Sequence, residues 1–222
     1  MTPFKDIEAA AERRAGGPEA LAGRLPTAKT AEALRAVSDD RYLSLMSLRI
    51  FRAGLKHSLV DAKWPAFEEV FQGFEPRRVR AMSDEAIEGL LSDRRLIRHG
   101  GKMRAVRDNA AAFCVLAEEQ GSFGAYLADW PESEIVGLWD DLAKRFKQLG
   151  GNSAPTFLRM AGKDSFVPTD DVARALVHWG ALDSPPKGKR DRARMQEAFN
   201  AWAEESGRPL CEISMILAQS VD

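Results

Sequence analysis

Two adjacent carboxylates, Asp170 and Asp171, are the side chains of this sequence best placed for acid–base chemistry. They follow Pro168-Thr169 and precede an apolar-periodic run that starts at Val172, so they are predicted to open a helix. A carboxylate there can stabilise a developing positive charge and can accept a proton from an attacking water. The position also suits helix capping, and one of the two aspartates is expected to be an N-cap in any helix that begins here.

A second feature is the glycine-rich break within residues 144–157, which read KRFKQLGGNSAPTF. Glycines adopt positive φ and expose backbone N–H groups, and the Ser/Pro/Thr cluster favours a new helix, which predicts a helix–hairpin–helix. Such a hairpin can clamp the phosphates of double-stranded DNA without reading its sequence. The expected phosphate contacts are Lys147, Gly150, Gly151, Asn152 and Ser153. The alternative is an ordinary glycine-terminated helix followed by a capped one.

The elements that must position these residues are predicted to be helices. Apolar residues recur at helical spacing, as at Tyr42, Leu45 and Met46, and no segment alternates like a strand for more than a few residues. We therefore expect an all-α, two-lobed protein of about a dozen short helices separated by Gly and Pro breaks. The expected parts of this single domain are an N-terminal arm (1–37), a lobe with the hairpin (38–165), and C-terminal helices that complete the second lobe (166–222).

Composition excludes several classes of protein. The 222 residues are 45% hydrophobic and 29% charged, the balance of an ordinary globular protein. No apolar run reaches the ~18 residues of a spanning helix, and the N-terminus does not resemble a signal peptide, so we expect a cytoplasmic protein with no membrane role. Cys114 and Cys211 are predicted to be buried thiols, and no metal or cofactor is expected. Because the net charge is −1, any basic DNA footprint must be local.

The most specific motifs lie within residues 38–113. Ala53-Gly54-Leu55 follows a capped helix, residues 67–82 read FEEVFQGFEPRRVRAM, and residues 90–110 read LLSDRRLIRHGGKMRAVRDNA. These stretches resemble the 3-methyladenine DNA glycosylase I branch of the helix-hairpin-helix DNA glycosylase superfamily. The last stretch also contains Arg98 and Lys102, two further candidates for DNA contacts.

The resemblance implies a base-excision repair enzyme that acts as a monomer on double-stranded DNA. Such an enzyme flips a damaged, alkylated base out of the duplex and hydrolyses its N-glycosidic bond. It also implies that an aspartate after a proline-containing loop stabilises the sugar cation and activates water, a role that falls to Asp170 first and Asp171 second. The alternatives are a non-catalytic DNA-binding protein that keeps the hairpin clamp, or a helical scaffold.

Two positions of the base pocket depart from this branch. Where it has a Glu before Ala-Gly-Leu and a Trp just after, this chain has Arg49 and His57. An arginine cannot accept hydrogen bonds from a cationic methylated adenine and repels its charge, so we expect another lesion. Arg49 either binds a neutral or oxidised base or a phosphate, or is a buried arginine paired with a carboxylate; the candidates are Asp39, Asp40, Glu68 and Glu69. His57 either stacks on a base or packs elsewhere, and the branch's zinc-ligand pattern is missing.

Overall fold

The computed structural model describes residues 1–221, in which fourteen α-helices and no β-strand occur. In chain order they are α1 Phe4–Ala15, α2 Pro18–Ala22, α3 Ala31–Arg35, α4 Asp39–Arg52, α5 His57–Val70, α6 Pro76–Arg80, α7 Asp84–Gly89, α8 Gly100–Gln120, α9 Phe123–Asp129, α10 Ile135–Arg145, α11 Ser153–Ala161, α12 Asp170–His178, α13 Lys189–Ser206 and α14 Leu210–Ser220. Three short 3₁₀ segments span Gln72–Phe74, Leu90–Ser92 and Glu132–Glu134. The all-α prediction is confirmed.

The chain folds into two compact units. The first comprises residues 1–29, 130–139 and 162–222, and the second comprises residues 30–129 and 140–161. Residues 130–139, which the sequence assigned to the hairpin lobe, group with the first unit because buried Lys163 donates to Trp130 O at 2.6 Å and to Glu132 Oε1 at 2.7 Å. The division into lobes itself stays a prediction.

The first unit is built on an aromatic core. Phe166 stacks on Phe199 with ring centroids 3.9 Å apart and meets Trp139 edge-on at 4.6 Å. Helix α1 packs on α14 and buries Phe4 and Ile7, so this part of the expected N-terminal arm contributes to the core of the first unit. Burial of such large side chains contributes about 1.5–3 kcal/mol each.

The second unit surrounds the 21-residue helix α8 with α4, α6 and α9. A cluster of rings lies at the α4–α5 contact, where Trp64 stacks on Phe67 at 4.9 Å and on Phe74 at 5.5 Å. The Trp64 indole N–H donates to Ser44 Oγ at 3.1 Å, so the polar edge of this half-buried ring is satisfied. This packing holds α4 in place just before Ala53-Gly54-Leu55.

Candidate functional site

The hairpin predicted from the glycine-rich break lies in the second unit, between the end of α10 at Arg145 and the start of α11 at Ser153. Phe146 and Leu149 are buried, whereas Lys147 is exposed. The two apolar side chains anchor the turn in the core while the polar ones face solvent. A rigid, exposed turn of this kind can present backbone donors to a ligand.

Asn109 of α8 fixes the conformation of this turn from the inside. Its Oδ1 accepts from Lys147 N at 2.7 Å, and its Nδ2 donates to Lys147 O at 3.2 Å, with the side chain fully buried. The sequence analysis missed this role. The available signal was an amide on the same helix face as Val106, Ala110 and Phe113, where a polar group needs a specific partner.

The glycines leave the tip of the turn open. Gly151 has φ of +58°, and a Cβ added at Gly150 or Gly151 would meet no atom within 4 Å. Within residues 1–221 the N–H groups of both glycines donate no hydrogen bond. Asn152 is exposed and Ser153 starts α11, so the five expected phosphate contacts share one turn.

The two basic candidates from the 90–110 motif differ in their surroundings. Arg98 is exposed and lies just before His99, whose Nδ1 caps α8 by accepting from Lys102 N at 3.2 Å. Lys102 is only 8% exposed, and its Nζ donates to Ala53 O at 2.7 Å and to Phe51 O at 3.4 Å. These carbonyls lie at the end of α4, where the helix cannot satisfy them itself. Lys102 is therefore expected to support the end of α4 rather than to contact a phosphate.

Replacing Lys102 by methionine should lower the free energy of unfolding by about 1–3 kcal/mol, because Ala53 O loses its buried donor. Duplex affinity should not change. Denaturant unfolding and a salt titration of DNA binding measure the two effects separately. Weaker DNA binding at unchanged stability would return Lys102 to the phosphate contacts.

The candidate catalytic aspartates open α12 in the first unit, and neither is its cap. Thr169 is the N-cap, and its side chain accepts from Val172 N at 3.3 Å. Asp171 pairs with Arg174 one turn along the helix. The side chain of Asp170 is exposed and makes no hydrogen bond or ion pair within residues 1–221. Asp170 is therefore the carboxylate that is available to a ligand.

The loop before Asp170 is held in place by contacts inside its own unit. Asp164 accepts from Leu210 N at 2.9 Å and from Cys211 N at 2.8 Å, at the start of α14. Buried Ser165 accepts from Trp139 Nε1 at 3.1 Å, and Val167 N donates to Ser214 Oγ at 3.2 Å. Because the loop has these fixed points, the first residue of α12 has a defined position.

The two divergent pocket positions lie at the end of α4 and the start of α5. Arg49 is half-buried and forms no ion pair within residues 1–221, so the carboxylate pairing that was one of its two expected states is not found. Burial and the nearby charge of Arg52 lower the pKa of Arg49 below its ordinary value. His57 is the first residue of α5 and is exposed.

Comparison with known proteins places these features in a class. The family model for methyladenine glycosylases matches residues 33–148, which include α4, the 90–110 motif and all of α10. DNA-3-methyladenine glycosylase 1 of Escherichia coli K12 is 35% identical over 72 residues, which are 32% of this chain and 38% of that protein. The chain thus matches less than two fifths of this relative's length.

Solved structures support the same assignment. The 3-methyladenine DNA glycosylase I of Staphylococcus aureus aligns with 26% identity and a TM-score of 0.51, over 56% of this chain and 77% of that one. The 8-oxoguanine DNA glycosylase of Methanocaldococcus jannaschii shares the fold, at 17% identity and a TM-score of 0.50, over 95% and 89% of the two chains. The class is therefore that of the helical DNA glycosylases. Within it, this chain belongs to the methyladenine glycosylase family.

Across residues 1–221 no helix is both long and apolar enough to cross a membrane. The same residues contain no group of three or more His, Cys, Asp or Glu side chains arranged to hold a metal ion.

Proposed function

We propose that this protein is a DNA glycosylase of base-excision repair that binds double-stranded DNA and hydrolyses the N-glycosidic bond of a damaged base. The observation that carries the proposal is its membership of the methyladenine glycosylase family, whose model matches over half of the chain. The name of the Escherichia coli relative points to the same reaction, on an alkylated base.

DNA binding rests on the hairpin. The exposed amides of Gly150 and Gly151 and the ammonium of Lys147 form a local donor surface suited to phosphate oxygens. The chain has no overall positive charge to attract DNA, so a local clamp of this kind has to supply the affinity. Arg98, which is exposed, is a further candidate for a phosphate contact.

Base excision rests on Asp170. The bond from the sugar to the base breaks, the bonding electron pair leaves with the base, and positive charge develops on the sugar. The Asp170 carboxylate offsets that charge and accepts a proton from water as the water oxygen bonds to the sugar carbon. The target base must first leave the stack, because its reacting atoms are inaccessible inside the duplex. Asp171 is the second choice, since it already pairs with Arg174.

A second candidate function is favoured by Arg49 and His57. These side chains replace the groups by which the resembling branch binds its base, so a protein that keeps the hairpin but has lost base chemistry is the alternative. It predicts DNA binding without base release. The two functions are distinguished by whether a base is released from the bound DNA.

The test is base release from duplex DNA that has been alkylated, deaminated or oxidised. Wild-type protein is incubated with each DNA, and the free bases are identified by mass spectrometry, with Asp170→Asn as the matched control. We expect at least one base to be released by the wild type and not by the variant. Tight DNA binding with no release from any of the three substrates would favour the non-catalytic function.

A further inference from the structure

Arg49 has a guanidinium that its surroundings leave without a hydrogen-bond acceptor. Its Nε is shielded from solvent and donates to no group within residues 1–221. A buried donor without a partner weakens the fold, and native structures contain few of them. The unpaired guanidinium of Arg49 is therefore not explained by a contribution to stability.

The charges near Arg49 make its position more unfavourable. Arg52 acts on Arg49 with the same charge, and Arg49 in turn acts on the buried ammonium of Lys102. Lys102 is compensated by the carbonyls of Ala53 and Phe51. Arg49 has no such compensation, so it is a half-buried cation with two other positive charges near it and no ion pair within residues 1–221.

The carboxylates that could neutralise Arg49 are engaged elsewhere. Glu68 accepts from Arg41 Nη2 at 2.9 Å and also from Ser44 Oγ. The remaining pairs are Asp40 with Arg41, Glu69 with Arg95, Asp61 with Arg52, and Asp39 with the backbone N–H of Phe123. Each of these carboxylates thus has another partner, and Arg49 has none within residues 1–221.

We propose that Arg49 is a specificity-determining residue that donates hydrogen bonds to a neutral base carrying oxygen or ring-nitrogen acceptors. A guanidinium presents its donors in a fixed fork that matches the O6 and N7 acceptors of an oxopurine. The same charge repels a base that is itself cationic, as methylated adenine is in DNA. The inference rests on the proposed function in one respect, namely that an extruded base reaches the end of α4.

The first test is direct observation of the Arg49 side chain by NMR, with free hypoxanthine as the probe. The Nε–Hε resonance of Arg49 should shift on titration. That of Arg52, whose Nε already donates to Asp61 at 2.8 Å, should stay in place and serves as the control. An Arg49 resonance that responds to inorganic phosphate but not to hypoxanthine would overturn the proposal.

The second test compares Arg49→Met with Arg52→Met in stability and in excision. Arg49→Met should leave the melting temperature unchanged or higher, since the side chain makes no pair. It should reduce excision from a duplex containing hypoxanthine about tenfold to a hundredfold, the range expected for loss of hydrogen bonds from a charged group. Arg52→Met should leave excision unchanged.

The outcomes separate this inference from the proposed function. A large loss of stability in Arg49→Met would make Arg49 a structural residue and contradict the inference. Wild-type excision of 3-methyladenine that is insensitive to Arg49→Met would also contradict it while leaving the glycosylase function intact. A shift of the Arg49 resonance by hypoxanthine without any excision would support the inference and count against the enzyme.

Discussion

Replacing Asp170 by asparagine should reduce base excision by about 10²- to 10⁴-fold, the range expected for loss of a general base or an electrostatic stabiliser. Asparagine keeps the shape of the side chain but can neither accept the proton of water nor offset a positive sugar. DNA affinity and the melting temperature should hold, because the Asp170 side chain makes no hydrogen bond or ion pair within residues 1–221 and Thr169 already caps α12. Single-turnover assays on the substrate identified by base release measure the effect.

Two neighbouring residues provide controls for this prediction. Asp171→Asn removes an adjacent carboxylate that pairs with Arg174 and should leave most of the excision rate. Thr169→Ala should lower the free energy of unfolding by about 1 kcal/mol through loss of the cap. If Asp170→Asn turns over like the wild type while Asp171→Asn does not, the catalytic assignment moves to Asp171. If both variants stay active, neither aspartate carries the reaction.

The second large effect is expected at the hairpin. Lys147→Glu replaces a phosphate-binding cation with a repelling charge and should weaken duplex binding about tenfold or more, with a shallower dependence of affinity on salt. Gly151→Val should act in the same direction, because valine at φ of +58° strains the turn by about 1–3 kcal/mol and misplaces its amides. Both losses should be similar for unrelated DNA sequences. Fluorescence anisotropy over a series of salt concentrations provides the measurement.

The matched control is Lys5→Glu, which makes the same change of charge at an exposed position on α1. It should alter affinity far less than Lys147→Glu. Equal effects of the two substitutions would mean that net charge, and not the hairpin, governs binding. Unchanged affinity of Gly151→Val at low salt would contradict the amide contacts.

Much of the fold could be predicted from local patterns in the sequence. The 3.6-residue apolar spacing indicated helices throughout, and the Leu-Gly-Gly break located the turn between α10 and α11. The burial of the N-terminal segment could not be predicted in this way. The segment is rich in Ala and Arg, so its core role depends on a few buried side chains, the largest of them Phe4 and Ile7, in a helix that packs on the distant α14. Local apolar periodicity predicts helices but not such long-range contacts.

The site residues, like the fold, could be predicted only where local patterns determine their role. The Asp170-Asp171 pair could be located from the sequence, and one of the two was expected to be the N-cap. The N-cap is instead Thr169, the residue before them. Lys102 looked like a surface cation because lysines usually are, and only the carbonyls at the end of α4 explain its burial. Asn109 and the unpaired state of Arg49 depend on which groups tertiary contacts bring near them, and spacing alone does not reveal that.

The glycosylase function is tested most directly by abasic-site formation in a defined duplex that carries one lesion, with protein in excess over DNA. We expect wild-type protein to convert at least one duplex of an alkylated, deaminated and oxidised series into an abasic product and an intact free base. Asp170→Asn should bind the same duplex without converting it. Wild-type protein that saturates every duplex and leaves all of the glycosidic bonds intact would contradict it.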